Sequence, residues 1–208
     1  MEKRARRRLA TAVVAGIVVP ALGAIAGAVI ASRGESDAVS YRGSSPPPGI
    51  VLPSFDLRDY TGERVRPRAL KGKVVLVTFL ETKCKEACPI IAAQIGTGLE
   101  LLDHGERRSV VAIAISVHPG DDTPVSVRRF LRTHRVEGDL RYLIGSEREL
   151  RPVWNAFQIL PALDTGDADT HSASVRIFNR DGEWVSTLHS GVDLSPENLA
   201  HDLVAAHG

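Results

Sequence analysis

The sequence predicts an α/β protein in which a central mixed sheet is flanked by helices and preceded by an N-terminal transmembrane helix. Three observations predict this arrangement. Apolar runs typical of buried strands alternate with segments of helical periodicity, an Asn-Arg-Asp-Gly turn joins two late strands, and 23 uncharged residues lie near the N-terminus. With 43% apolar and 25% charged residues in a chain of 208, the composition is that of a globular protein and excludes general disorder.

The predicted elements follow one another as a short hairpin and then β-α-β-α-β-α-β-β-α. Residues Val74–Leu80 and Ser109–Val117 are continuous apolar runs, as expected of strands that are buried on both faces. The later strands are predicted at 140–144, 174–178 and 183–188. The helices are predicted at 89–102, from the Asp122-Thr123-Pro124 cap to about 134, at 146–157, and from Ser195-Pro196 to about 206. Strands that alternate with helices predict helices on both faces of the sheet, and the final hairpin adds an antiparallel edge.

The first 52 residues carry the features of an extracytoplasmic protein. A basic segment at 1–8 precedes the uncharged residues 9–31, so the positive-inside rule places the N-terminus in the cytoplasm and the remainder outside the cytoplasmic membrane. A cleaved signal peptide is the alternative, and it gives the same location for the domain. Residues 32–52 are rich in proline, glycine and serine and are expected to be a tether. The folded domain is therefore predicted to span 53–208, and its mildly acidic balance argues against nucleic acid as a partner.

The two cysteines are the strongest candidates for chemistry. Cys84 and Cys88 lie in the segment TKCKEACP, directly after a buried strand and at the start of a helix. Helix N-terminal N–H groups favour a thiolate, and Lys83 and Lys85 are expected to lower the thiol pKa values further. Cys84 is expected to be the more exposed of the two sulfurs. A structural disulfide, a redox pair and a soft-metal site all remain open on these grounds, whereas a four-cysteine metal site is excluded.

A strand, a two-cysteine loop and a helix in this order resemble a thioredoxin-type domain, and the three-residue spacing before proline resembles the Sco/SenC family of membrane-anchored copper proteins. The stretch from Ser116 to Pro124 is similar to that family's Ser-Val-Asp-Pro and Asp-Thr-Pro pattern, and Asp169-Thr170-His171-Ser172 resembles its metal-histidine segment. The resemblance implies a thioredoxin-like fold and Cu(I) or Cu(II) bound by Cys84, Cys88 and His171. It also implies a role in assembling the copper centre of cytochrome c oxidase, with the copper-binding subunit of the oxidase as partner.

Two positions depart from the family pattern. Lys85 stands where the family often has proline, and His118 stands where it has aspartate, so His118 is either an additional copper ligand or a residue of a solvated loop. The alternative function is that of an extracytoplasmic thiol–disulfide oxidoreductase. In that case Cys84 attacks the disulfide of a partner protein and Cys88 resolves the mixed disulfide.

Overall fold

A computed structural model describes residues 40–159 and 173–208. In the described part the strands are β1 (Leu57–Asp59), β2 (Arg64–Val65), β3 (Val74–Leu80), β4 (Val110–Ser116), β5 (Leu140–Ile144), β6 (Ser174–Phe178) and β7 (Trp184–His189). The helices are α1 (Ala87–Glu100), α2 (His104–Ser109), α3 (Pro124–Thr133), α4 (Glu147–Phe157) and α5 (Pro196–Ala205), with a 3-10 turn at Pro67–Leu70. The predicted basic segment and anchor, residues 1–8 and 9–31, lie outside the described residues. Among the helices that the structure describes, none is both long enough and apolar enough to cross a membrane.

The strands form one mixed sheet in the order β2-β1-β5-β4-β3-β6-β7. Strands β3, β4 and β5 are parallel to one another, whereas β6 pairs with β3 in the antiparallel sense and β7 pairs with β6 in the same way. The hairpin β1–β2 adds a second antiparallel edge next to β5. The predicted mixed α/β sheet is therefore confirmed, and β3 occupies a central place in it.

Both faces of the sheet are covered, because side chains of β3 alternate between two apolar clusters. Leu76 and Leu80 point to a cluster that contains residues of α1, α3 and α5, while Val77 and Phe79 point to a cluster that contains residues of α4. Gly98 allows α5 to pack closely on α1, since a Cβ at this position would lie 2.9 Å from Leu199 Cδ2. Because β3 is buried on both faces, its last residues and the loop that follows them are held in a fixed place.

The folded unit begins at Ser40, earlier than the predicted boundary at Pro53. Ser44 and Thr187 exchange two backbone hydrogen bonds of 2.9 Å, so residues of the predicted tether pair with the outer edge of β7. The buried Asp202 carboxylate of α5 accepts hydrogen bonds from the backbone N–H groups of Arg42 (2.7 Å) and Gly43 (3.0 Å). A Cβ at Gly43 would lie 2.4 Å from Ser186 Oγ, so only glycine permits this close approach. These hydrogen bonds are made by backbone atoms of the predicted tether, so its amino-acid composition does not predict them.

Candidate functional site

Cys84 and Cys88 lie where β3 ends and α1 begins, as the sequence predicts. Residues 81–86, called here the cysteine loop, connect the two elements, and Cys88 belongs to the first turn of α1. Neither cysteine is in a disulfide, and both are only 6% exposed within the cluster on the α1 face. The expectation that Cys84 is more exposed is wrong, because the loop folds its side chain back against the apolar cluster.

The sulfur of Cys84 accepts a hydrogen bond from the first turn of α1. The backbone N–H of Cys88 donates to Cys84 Sγ at 3.2 Å, and the N-cap residue Glu86 makes no side-chain cap of its own. The first N–H groups of a helix have no partner within the helix, and their partial positive charge favours an anionic acceptor. Cys84 Sγ therefore takes the place of a capping oxygen at the start of α1.

Cys88 has the opposite environment. The pKa of the Cys88 thiol is raised, mainly by its hydrogen bond with the Cys84 side chain and next by burial. A hydrogen bond from the Glu81 backbone lowers this pKa and only partly opposes the shift. The negative charge of Glu81, itself 5% exposed, acts in the raising direction. The prediction that neighbouring lysines lower the pKa of both thiols is therefore wrong for Cys88. At neutral pH Cys88 keeps its proton, and the pair is chemically asymmetric.

A buried carboxylate fixes the start of the cysteine loop. Asp122 is 3% exposed and accepts hydrogen bonds from the backbone N–H of Thr82 (2.8 Å), from Ser116 Oγ (2.6 Å) and from the Tyr142 hydroxyl (3.0 Å). Trp154 Nε1 donates to the carbonyl of Ser116 at 2.8 Å, which ties α4 to the same network. Strands β3, β4 and β5 are thus joined behind the cysteines by a single side chain.

Asp122 and Tyr142 were missed as site residues by the sequence analysis, which assigned Asp122 to the cap of α3. Thr123 is the actual N-cap, since its hydroxyl accepts from the backbone of Ser126. The available signal was a tyrosine in the middle of β5, next to the apolar residues Leu143 and Ile144. A buried hydroxyl requires a partner, and an acidic residue close after β4 can provide one because β4 and β5 are neighbours.

His118 contacts an acidic residue that also pairs with the cysteine loop. Its Nδ1 lies 3.2 Å from Asp121 Oδ2, and Lys83 Nζ lies 2.6 Å from Asp121 Oδ1. Within residues 40–159 and 173–208, no three His, Cys, Asp or Glu side chains are grouped so that they could hold a metal ion. The structure therefore places His118 against Asp121 and does not bring it together with the two sulfurs as a metal-holding group.

His171 lies outside the described residues, between Ile159 and Ala173. The chain re-enters the described part just before β6, and Thr78 Oγ1 of β3 donates to the carbonyl of Ser174 at 2.9 Å. The segment that carries His171 is thus attached next to the strand that leads into the cysteine loop. The thiols themselves are a donor set that fits copper, because soft sulfur ligands suit Cu(I).

Comparison with known proteins identifies the family. Residues 44–207 match the SCO1/SenC family model, which covers most of the chain. The chain belongs to the SCO1/SenC family. The copper-bound structure of ScoI from Bradyrhizobium japonicum is 30% identical and covers 74% of this chain and 98% of its own, with a TM-score of 0.61.

The chain is also similar to one further relative and one further solved structure. The SCO2-like protein of Rickettsia typhi is 25% identical over 152 residues, which are 70% of this chain and 72% of the relative. BsSco, in which a disulfide switch was identified, is described as a member of the Sco family of cytochrome c oxidase assembly proteins. It shares the fold with a TM-score of 0.62 at 21% identity, over 78% of this chain and 97% of its own. The predicted Sco/SenC membership and thioredoxin-like fold are thereby confirmed.

Proposed function

We propose that this SCO1/SenC protein binds copper through Cys84, Cys88 and His171 and delivers it to the copper-binding subunit of cytochrome c oxidase. The observation that carries the proposal is the pair of reduced, buried thiols after the end of β3, with Cys84 Sγ accepting the Cys88 N–H. Copper-bound ScoI, 30% identical over nearly its whole length, supports copper as the metal. The oxidase as target follows from the family and is part of the proposal.

Copper is the cargo here, and each ligand has a distinct task. Cys84 enters the site with its sulfur already positioned by α1, so little ordering is needed when it binds the metal. Cys88 must lose its proton on binding, because only the thiolate is a good ligand, so copper uptake releases this proton to solvent. The imidazole of His171 completes a site of two sulfurs and one nitrogen, which accommodates Cu(I) and Cu(II).

The experiment that tests this function compares two histidine variants of the full-length protein. His171→Ala is expected to lower the affinity for Cu(II) by at least about tenfold, because an imidazole ligand is removed. His118→Ala is the matched control and is expected to retain the affinity, since His118 contacts Asp121. Competition titration with a chelator of known affinity measures both. Equal affinity of His171→Ala and the unmodified protein contradicts the three-ligand site.

The second candidate is thiol–disulfide exchange, which the asymmetry of the two thiols favours. The Cys84 thiolate attacks a partner disulfide, forming a mixed disulfide and releasing one partner thiolate. Cys88 then attacks Cys84 Sγ, so the Cys84–Cys88 disulfide forms and the second partner thiolate leaves. The Cys88 proton passes to a released thiolate, and two electrons pass to the partner.

Cys88→Ser is expected to accumulate the mixed disulfide in this reaction, because the resolving sulfur is absent. Non-reducing electrophoresis after incubation with oxidised glutathione measures the adduct, and Cys84→Ser is the matched control that forms much less of it. Equal adduct on both variants contradicts the assigned roles. Since both sulfurs are 6% exposed, the adduct also requires the cysteine loop to move aside.

We also propose that the protein is held in the cytoplasmic membrane by residues 9–31, with the domain outside. The basic residues at 1–8 and the uncharged stretch that follows support this topology. The folded unit starts at Ser40, so eight residues separate it from the end of the predicted anchor.

A further inference from the structure

Arg176 of β6 is a cation with at least one N–H donor that has no acceptor in the protein. Its Nη1 donates to the carbonyl of Phe157 at the end of α4 (2.7 Å), and its guanidinium carbon lies 4.6 Å from the ring centroid of Trp184. Its Nε is buried and has no hydrogen-bond acceptor. A guanidinium has five N–H donors in a planar fork, and its Nε–Nη2 edge is one of the two that bind an oxyanion side-on.

No acidic side chain of the described residues neutralises this charge. No carboxylate in that part of the chain lies within 4.0 Å of Arg176, whereas Arg64, Arg141 and Arg151 each form such a pair. Burial lowers the pKa of Arg176, and no neighbouring acid opposes the shift. Holding a half-buried cation without a counter-ion costs free energy, so an anion that reaches Arg176 gains more than it would at a fully exposed arginine.

A cavity of about 300 Å³ gives access to Arg176. Polar side chains line it, among them those of Ser44, Ser174, Thr187 and His189, together with the ring of Trp184. None of its lining residues is acidic, and hydroxyl and imidazole groups can donate hydrogen bonds to an anion. The cavity is therefore polar, accessible and positive.

We propose that this cavity is a carboxylate-binding site in which the Nε–Nη2 edge of Arg176 holds the ligand. A single guanidinium matches the single charge of a carboxylate, whereas a doubly charged phosphate would require a second permanent cation that the lining lacks. The ligand is either a small free carboxylate or the carboxylate of a polypeptide. The site does not depend on copper and adds a second binding function to the domain.

The test follows the Arg176 Nε–H resonance by NMR in the full-length protein labelled with nitrogen-15. Sodium acetate is expected to shift this resonance in a saturable way, and sodium chloride at equal ionic strength is not. Arg176→Lys, which keeps the charge but lacks the fork, identifies the resonance and is expected to weaken acetate binding at least about tenfold, measured through the neighbouring Trp184 indole resonance. Arg180→Lys is the matched control and is expected to bind normally, since Arg180 lies in the β6–β7 turn and donates to Gly72.

Two peptides that differ only by glutamate and glutamine distinguish the sources. If the glutamate peptide binds at least about tenfold more tightly than acetate and the glutamine peptide does not bind, the ligand is a polypeptide carboxylate. If acetate binds as well as the glutamate peptide, the ligand is a small carboxylate. The proposal is overturned if neither acetate nor the peptide gives a saturable shift in the unmodified protein, or if inorganic phosphate binds more tightly than acetate. It is also overturned if Arg176→Lys, shown to be folded by circular dichroism, retains full affinity.

Discussion

Serine at position 84 or at position 88 is expected to lower the affinity of the full-length protein for Cu(I) by more than about a hundredfold. Loss of an outer-shell partner typically costs about 10–100-fold, and loss of a thiolate ligand removes a direct bond to the metal. A hydroxyl is a hard donor that stays protonated at neutral pH, so Cys84→Ser and Cys88→Ser each leave one soft ligand. Competition with a Cu(I)-specific chelator under reducing conditions measures the change.

The two serine variants are also expected to differ in their response to pH. Copper has to displace the proton of Cys88, whose pKa is raised by its hydrogen bond with Cys84 and by burial. Cu(I) affinity of the unmodified protein should therefore rise with pH across the neutral range, and Cys88→Ser should lose most of this dependence. A Cu(I) affinity that is unchanged in either serine variant contradicts the proposed site. A Cys88→Ser variant with the full pH dependence contradicts the assignment of the proton to Cys88.

Asp122→Ala is expected to lower the free energy of unfolding by about 3 kcal/mol at neutral pH. The substitution removes one buried carboxylate and leaves the Thr82 N–H and the Ser116 and Tyr142 hydroxyls without their acceptor, at about 1–3 kcal/mol for a buried group left unsatisfied. Denaturant unfolding measures the loss, and hydrogen exchange at the Thr82 amide reports whether the cysteine loop is released. Asp181→Ala, in the exposed β6–β7 turn, is the matched control and should change stability little.

Asp122→Asn separates the charge of this residue from its shape. Burial raises the pKa of Asp122, with hydrogen bonds from Ser116, Thr82 and Tyr142 acting against it. A carboxyl whose pKa is raised by folding contributes most below its ordinary value of about 4, and this contribution is lost as the pH rises through the folded-state pKa. The unmodified protein should lose stability relative to Asp122→Asn over this window. An unchanged difference, or Asp122→Ala as stable as the control, contradicts this account of the network.

The elements that could be predicted from the sequence are those whose burial is evident from a run of apolar residues. Strand β3 has the predicted bounds, because a strand covered on both faces is apolar along nearly its whole length, and β5 also begins and ends as predicted. The position of the cysteines at the start of α1 could also be predicted, because the continuous apolar run of β3 directly precedes them. The short helix α2 was missed, as its six residues HGERRS bury no side chain and carry no apolar period.

The properties that could not be predicted depend on distances between elements. The pKa of Cys88 follows from burial and from the contact with the Cys84 side chain, whereas the sequence shows only lysines nearby. The role of Asp122 requires that β3, β4 and β5 lie side by side, so that Thr82, Ser116 and Tyr142 reach one carboxylate. The pairing of Ser44 with β7 is made by backbone atoms, which a side-chain pattern does not report.

The hydrogen bond from the Cys88 amide to Cys84 Sγ couples the electronic state of a sulfur atom to the order of a helix. When Cys84 shares its lone pairs with a metal ion or with another sulfur, it becomes a poorer acceptor, and Glu86 offers no side chain in its place. The opening turn of α1 then loosens while the remainder of the helix stays packed. We therefore expect the first amide protons of α1 to exchange with solvent faster in a loaded or oxidised chain than in a reduced, empty one.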